Sequence, residues 1–460
     1  MASARGSPTR RGDLIEPARA IPVFAEHDVL VLGGGPAGIA AAASAAARGA
    51  DVLLVERYGF LGGMGTAAGV TNFCGLHANV HGEIRQVVHG VVDELLDRMR
   101  ALDGLSDPHL IFGRIHAQAY DMSAYKCAAD ALLVARGVHV LFHALGVGVV
   151  RHEDGAIDAL VLETRSGRVA VRARTFIDCS GDGDLAHRAG IALEKGDDTG
   201  RLLYPTLMFR VGNVDPARAG EAWRSIPQRM EEAEAAGEFR FPRRGAIVRP
   251  QKHETEWRVN VTQLRDAEGR AIDGTDAQSL SDAEIEGRRQ VVEYLRFLRA
   301  KVPGFEDAYT LDIAPQVGIR ETRRLAADYM LTADDVLRCA DFADSIGVNG
   351  WPIENHVAGD VVWKWTPEGS RGYNQLPFRM LVPRRSVGSG ATNVLVAGRC
   401  AGMTHEGQSA ARVSGACFVM GEAAGAAAAL ALREHVAARD IDIALLQRAL
   451  EDAGVFLGST

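Results

Sequence analysis

The run Asp28 to Gly38, DVLVLGGGPAG, constrains the fold more than any other stretch of the chain. An apolar, β-branched segment leads into a glycine cluster and then into Ile39 to Ala47, which is nearly all alanine. Gly33, Gly35 and Gly38 fit G-x-G-x-x-G, and the flanking strand and helix supply the context that motif requires. Such a turn, continued through Pro36 and Ala37 into the helix, aims backbone N–H groups at a pyrophosphate. The expected unit is a strand over 27–33, a helix over 36–48 and a strand over 51–56. Glu56, 18 residues past Gly38, ends the second strand. A carboxylate there accepts hydrogen bonds from a ribose diol and repels a 2′-phosphate, which disfavours NADP.

The chain has 460 residues, enough for two to three domains, and 47% of them are apolar, which excludes disorder. A net charge of −8 gives no attraction for nucleic acid or an anionic membrane. The six cysteines form no C-x-x-C pair, so neither a zinc site nor a redox dithiol is signalled, and a reducing cytoplasm is expected. Residues 1–22 read as a flexible, basic tail. Arg10 and Arg11 lack the apolar run that an export signal needs. The apolar run Ala416 to Leu432 carries Glu422 and reads as a buried helix, not a membrane span.

A second glycine pair, Gly62-Gly63, follows closely in YGFLGGMGTAAG and suggests a second pass of backbone along one long cofactor. Helices are expected over about 83–101 and 118–136, strand-like alternation over 138–150, and a strand pair over 168–184 ending in a turn at 180–184. Every tryptophan (Trp223, Trp257, Trp351, Trp363 and Trp365) falls between 201 and 374, beside an amphipathic segment at 281–301. That stretch reads as an inserted substrate or cap domain. The cofactor pattern returns with the strand Asn393 to Ala397, then Gly398-Arg399, then an alanine-rich helix over 414–433. The expected division is a tail at 1–22, a first part of the cofactor domain at 23–200, the cap at 201–374 and a closing part at 375–460. A cofactor domain split in this way favours FAD, which is longer than NAD. A second G-x-G-x-x-G is missing, which argues against a separate NAD(P)H domain.

The blocks VERYGFLGGMGT, FIDCSGDGDLAHRAG, PQVGIRETRRL, YNQLPFRMLVP and NVLVAGRCAGMTHEGQSAARVSGACFVMGEAAG, with the first glycine loop, resemble the FAD-dependent oxidoreductase family from about residue 21 onward. The resemblance implies an α/β fold: a Rossmann-like FAD-binding domain of glutathione-reductase type with an inserted α+β cap. It implies that Gly33, Gly35 and Gly38 approach the pyrophosphate and that Glu56, with Arg57 beside it, binds the adenosine ribose. Gly62, Gly63 and Thr66 would line the pyrophosphate and flavin side, and Leu145 would meet the adenine. Ser180, Gly181 and Asp182 would pack on the first glycine loop, and Gly398 and Arg399 would sit by the ribitol. Arg412, Val413 and Ser414 would bring a helix N-terminus to the flavin pyrimidine, where its dipole favours negative charge. Related aromatic hydroxylases usually carry Gly-Asp where this chain has Gly398-Arg399, which counts against a hydroxylase.

The chemistry falls to fewer residues. His405, in a loop after the ribitol strand, is the expected base, its bland alternative being a loop histidine bonded to backbone. Glu406 is a second candidate. Arg320, Arg323 and Arg324 have i, i+3, i+4 spacing, as on one face of a helix, and Arg320 would clamp a substrate carboxylate. Tyr373 and Asn374 return the chain from the cap and would line the cleft. Cys74 is a candidate nucleophile, and no metal site is expected from Cys74, His77 and His81. Trp351, Trp363 and Trp365 would either face the substrate or fill the cap. Gly421 and Gly425 read as close helix packing.

The expected activity is an FAD-dependent dehydrogenase or oxidase that passes a hydride between a small organic substrate and flavin N5, with oxygen, a quinone or a protein as electron acceptor. A flavin-dependent monooxygenase is the alternative, and an RNA-modifying flavoprotein a weaker third. Assembly into a homo-oligomer is left open.

Overall fold

A seven-stranded sheet organises the computed structural model, which describes residues 12–385 and 392–458. Across the sheet lie His139–Leu141, Val52–Val55, Val23–Leu32, Gly167–Asp178, Ile157–Thr164 and Leu145–Arg151; Val394–Val396 pairs with the far end of Gly167–Asp178. Five of these strands run parallel. The other two form an antiparallel meander with Gly167–Asp178. Val52–Val55 and Val394–Val396 are buried throughout, as parallel strands covered on both faces must be. The register brings Leu141, Val55, Leu32, Asp178 and Val396 level. The chain segments beginning at Gly33, Glu56, Cys179 and Ala397 therefore leave the sheet along one edge. In open α/β sheets that carboxyl edge is where ligands bind.

One face of the sheet is covered by the helix Pro36–Ala46, itself pressed against the helix Ser414–Glu434. Small residues set that approach. A Cβ on Gly421 would lie 2.0 Å from the Ala37 carbonyl oxygen, and one on Gly425 would lie 2.1 Å from that of Ala41. Ser44 Oγ donates to the Glu422 carbonyl across the same contact, at 2.8 Å. Ser414–Glu434 is long and apolar enough to cross a membrane, but 94% of its most apolar window is buried inside the protein.

A second core is built from Leu207 to Ile319. Its antiparallel sheet runs Ile247–Pro250, Trp257–Asn260, Phe209–Gly212 and Tyr309–Ile313, and the helix Ala277–Lys301 packs Tyr294, Phe297 and Leu298 into the same cluster. Trp257 and Phe305 meet edge-on at its centre. Leu331, Val336, Ile346 and Tyr373 belong to the first core. The second packing unit thus ends well before residue 374.

Several expected elements differ. The first strand starts four residues early, at Val23, and the first helix stops at Ala46. The stretch 83–101 is a strand, Glu83–Gln86, followed by a helix, Val91–Ala101; Gly90 at φ +101° separates them. Likewise 118–136 divides into the strand Ile115–Ala119 and the helix Met122–Ala135, whose N-cap, Asp121, accepts from the Ala124 N–H. Residues 168–178 form one long strand, paired with the upstream Ile157–Thr164. The arginine triplet is not helical either: Arg323–Leu325 is a strand paired with Leu193–Lys195. Residues 12–22 hold no helix or strand, and residues 1–11 of the expected tail lie outside the described residues.

Candidate active site

A cavity opens along the carboxyl edge of the sheet and continues under the second core. Its sheet end is built from backbone. A Cβ on Gly38 would lie 1.8 Å from the Gly33 carbonyl oxygen, so this turn closes only with glycine. Gly33 itself holds φ +103° with no room for a side chain against Cys179. At Gly35, by contrast, a Cβ would meet only the Gly63 Cα, at 3.6 Å, because that position faces the cavity. Gly33, Gly35, Pro36, Ala37 and Gly63 all line it.

Glu56 is fixed at the same edge. Its Oε2 accepts from the Gly34 N–H at 2.6 Å and its Oε1 from the Tyr58 N–H at 2.9 Å. Burial pushes its pKa up, against the pull of these two N–H groups. Each carboxylate oxygen keeps a further lone pair for a ligand hydroxyl. Arg57, Leu145, Ser180 and Gly181 continue the wall, and Gly398, Arg399, Arg412, Val413 and Ser414 close its far side. Four expected contact residues stand back from the cavity. Gly38 and Gly62 shape turns, and the buried Thr66 hydroxyl donates to the Leu61 carbonyl at 2.6 Å. Asp182 accepts from Arg399 at 2.9 Å and from Thr322 at 2.8 Å, which holds the Arg399 guanidinium in the wall. These four support the residues that do face the cavity.

A glycine cradle, a buried carboxylate at the end of the second strand and a distant helix N-terminus on one elongated cavity fit a long dinucleotide. The sequence profile of the FAD dependent oxidoreductase family matches residues 28–450. The chain belongs to this family. Its cofactor is FAD. No curated protein matches the sequence. Among solved structures it is similar to a geranylgeranyl bacteriochlorophyll reductase-like protein from Thermoplasma acidophilum, at 15% identity and a TM-score of 0.47, over 94% of this chain and 84% of that one. It is also similar to p-nitrophenol 4-monooxygenase from Pseudomonas putida, at 12% identity and a TM-score of 0.49, over 95% and 90%. A flavin-dependent brominase gives 14% and 0.46, over 93% and 83%. None of these likenesses bears on the reaction.

The end of the cavity under the second core has a different character in this flavoenzyme. Two strands supply it by alternation. Arg258 and Asn260 share one face of Trp257–Asn260, and Glu354 and His356 share one face of Ile353–Val357. The His356 ring Nε2 lies 3.1 Å from Glu354 Oε1, and Trp351 Nε1 donates to Glu354 Oε2 at 3.1 Å. Burial alone would raise the Glu354 pKa; the His356 ring and the Arg412 and Arg320 guanidiniums outweigh it and hold the carboxyl below its usual range. Burial and Arg320 push the His356 ring well below its ordinary value. The resulting pair is a carboxylate beside a neutral imidazole. Phe112, Trp363 and Trp351 cover the mouth, with Phe112 and Trp363 stacked at 5.4 Å.

Arg320 reaches this end, donating to the Tyr204 carbonyl at 2.5 Å. Arg323 and Arg324 do not: Arg323 bonds Asp184, and Arg324 bonds Glu321. His405 is turned away. Its Nδ1 lies 2.8 Å from Glu321 Oε2, and it lines a second cavity on the other side of Ile353–Val357. His356 is the residue that lines both cavities. Glu406 also faces the second cavity and pairs with Lys364. Tyr373 is buried in the first core, edge-on to Phe456, and its hydroxyl has no partner. Cys74 lines the first cavity, but burial pushes its thiol up to about 12, which disfavours the thiolate a nucleophile needs. Cys74, His77 and His81 form no cluster; the one group of three close ligand-type atoms among the described residues is His27, Asp51 and His139, at the opposite end of the sheet strands.

Proposed function

We propose that the protein is an FAD-dependent dehydrogenase or oxidase of a small organic substrate, with His356 as proton acceptor and Glu354 as its orienting carboxylate. The observation that carries this reading is the buried Glu354–His356 pair in the wall of the same cavity whose glycine-lined end would take the cofactor. Bound FAD supplies the two-electron acceptor. The ionised Glu354 selects the tautomer of His356 that carries its proton on Nε2, leaving Nδ1 as an acceptor. It also stabilises the ring once protonated. His356 borders the second cavity, through which a proton can leave. Trp351 and Trp363 exclude water from the substrate end. Oxygen, a quinone or a protein would accept the electrons afterwards. Among the expected residues, Arg320 keeps a substrate-facing role, whereas the placement of His405 and Tyr373 favours supporting ones.

Anaerobic mixing of the holoenzyme with candidate substrates tests this, with loss of the oxidised-flavin absorbance as the readout. For a substrate that bleaches the flavin, His356→Gln should slow bleaching by about 10²- to 10⁴-fold with FAD content unchanged. An unchanged rate would remove His356 from the role. Consumption of NAD(P)H with incorporation of labelled oxygen into product would replace the reading with a monooxygenase.

A further inference from the structure

The substrate end of the cavity carries more positive charge than it neutralises. Arg258, Arg320 and Arg412 line it, and Arg243 stands directly behind Asn260. Arg243, Arg258 and Arg320 are buried, at 1%, 4% and 7% exposed, and Arg412 is part-buried and paired with Glu354 at 3.4 Å. One carboxylate, Glu354, faces them at this end. Burial first, then Arg243 and Arg412, pushes the Arg320 guanidinium well below its ordinary pKa, a sign that the cations crowd one another. Their hydrogen bonding is also incomplete. Asn260 Oδ1 accepts from Arg243 at 2.9 Å and Arg320 at 3.5 Å. The Nε atoms of Arg258 and Arg412, and both Nε and Nη2 of Arg243, have no partner.

Unpaired buried charge is costly, and a guanidinium with open N–H groups is matched by a carboxylate. Ile111, Trp351 and Trp363 supply an apolar stretch of the same wall. We infer that the substrate is a carboxylate with an apolar, ring-sized body, its head held by Arg258 and Arg320 and its body against Trp351 and Trp363. The inference rests on the oxidoreductase reading above and names its substrate class. Arg258 and Arg320 stand on the second core, apart from the glycine loops that serve the cofactor phosphates.

Equilibrium binding to the holoenzyme tests it without turnover, read by quenching of tryptophan fluorescence and by shift of the visible flavin band. The probes are phenylacetate, benzoate, their neutral amides and sulfate. Phenylacetate or benzoate should bind saturably, and at least roughly tenfold more tightly than its own amide, the loss expected for charge-assisted hydrogen bonds. Arg258→Gln and Arg320→Gln should each weaken acid binding by a similar factor at unchanged FAD content, and Arg258→Lys should recover part of it. Equal binding of acid and amide overturns the inference, as does saturable binding of sulfate alone. The acid–amide comparison on the unmodified protein decides the matter even if a variant fails to fold. Acid binding keeps this inference whatever the flavin does; failure of every oxidisable carboxylate tried to bleach the flavin defeats the oxidation reading alone. Bleaching by neutral alcohols or amines alone does the reverse.

Discussion

Two glycines three positions apart, Gly35 and Gly38, fail differently when given a methyl group. In Gly38→Ala the new Cβ meets the Gly33 carbonyl, so the turn cannot close; little soluble protein is expected on expression. In Gly35→Ala the Cβ fits the protein but stands in the cofactor cavity. The variant should fold yet lose FAD on gel filtration, measured as the ratio of flavin to protein absorbance. Glu422 gives a pH signature. Burial pushes its carboxyl from 4.5 up to about 7, while the Val91 N–H and Arg48 pull it back. The folded chain therefore holds a proton that the unfolded chain releases from about pH 4.5 upward. Its contribution is fully present below that value and is lost as pH rises through about 7. Glu422→Gln should lose less Tm than the parent between acid and alkaline pH, a difference worth up to about 3 kcal/mol. The glycines and Glu56 were legible because their partners lie within one βαβ unit. Glu354, His356, Arg258 and Asn260 were not, since only the packing of two distant strands brings them together. Their signal was there as polar residues two apart in short β-branched segments, EW-R-V-N and I-E-N-H. His405 lies beside the cofactor strand in the chain, while its ring points to Glu321.

At the scale of elements, the contact between Pro36–Ala46 and Ser414–Glu434 carries a direct test. Gly421→Ala must push the two backbones apart, since its Cβ would meet the Ala37 carbonyl at 2.0 Å. A stability loss of about 1–3 kcal/mol is expected, read as a lower Tm, with FAD weakened because Ala37 borders the cavity. The short helix Ala333–Leu337 depends on its capping box, in which Thr332 and Asp335 satisfy each other's backbone N–H groups. Thr332→Ala should cost about 1 kcal/mol in denaturant titration without touching the cofactor. Long periodic elements were readable from sequence, as both alanine-rich helices and Ala277–Lys301 show. Boundaries inside 83–101 and 118–136 were not. There a short strand and a helix abut, and only Gly90 and Asp121 mark the change. The arginine triplet reads as helical by spacing, yet pairing with Leu193–Lys195 overrides that local pattern.

For the whole molecule, the split cofactor domain was legible because its pattern stops and then resumes near residue 393. The extent of the second core was not, since Leu331, Val336, Ile346 and Tyr373 pack with the first core, and Trp351, Trp363 and Trp365 join a separate small cluster. A chain ending at residue 392 would lack the strand Val394–Val396, which pairs with Gly167–Asp178, and the helix carrying Ser414. It should retain no FAD, as judged by flavin absorbance after gel filtration. The same arrangement has a consequence for synthesis. The helix Pro36–Ala46 leaves the ribosome roughly 380 residues ahead of its partner around Gly421, on the order of 20–80 s at ordinary elongation rates. During that interval an almost wholly alanine surface has no native cover. The nascent chain must wait in a partly assembled state for the helix Ser414–Glu434, which makes this protein a candidate client of chaperones that shield growing chains.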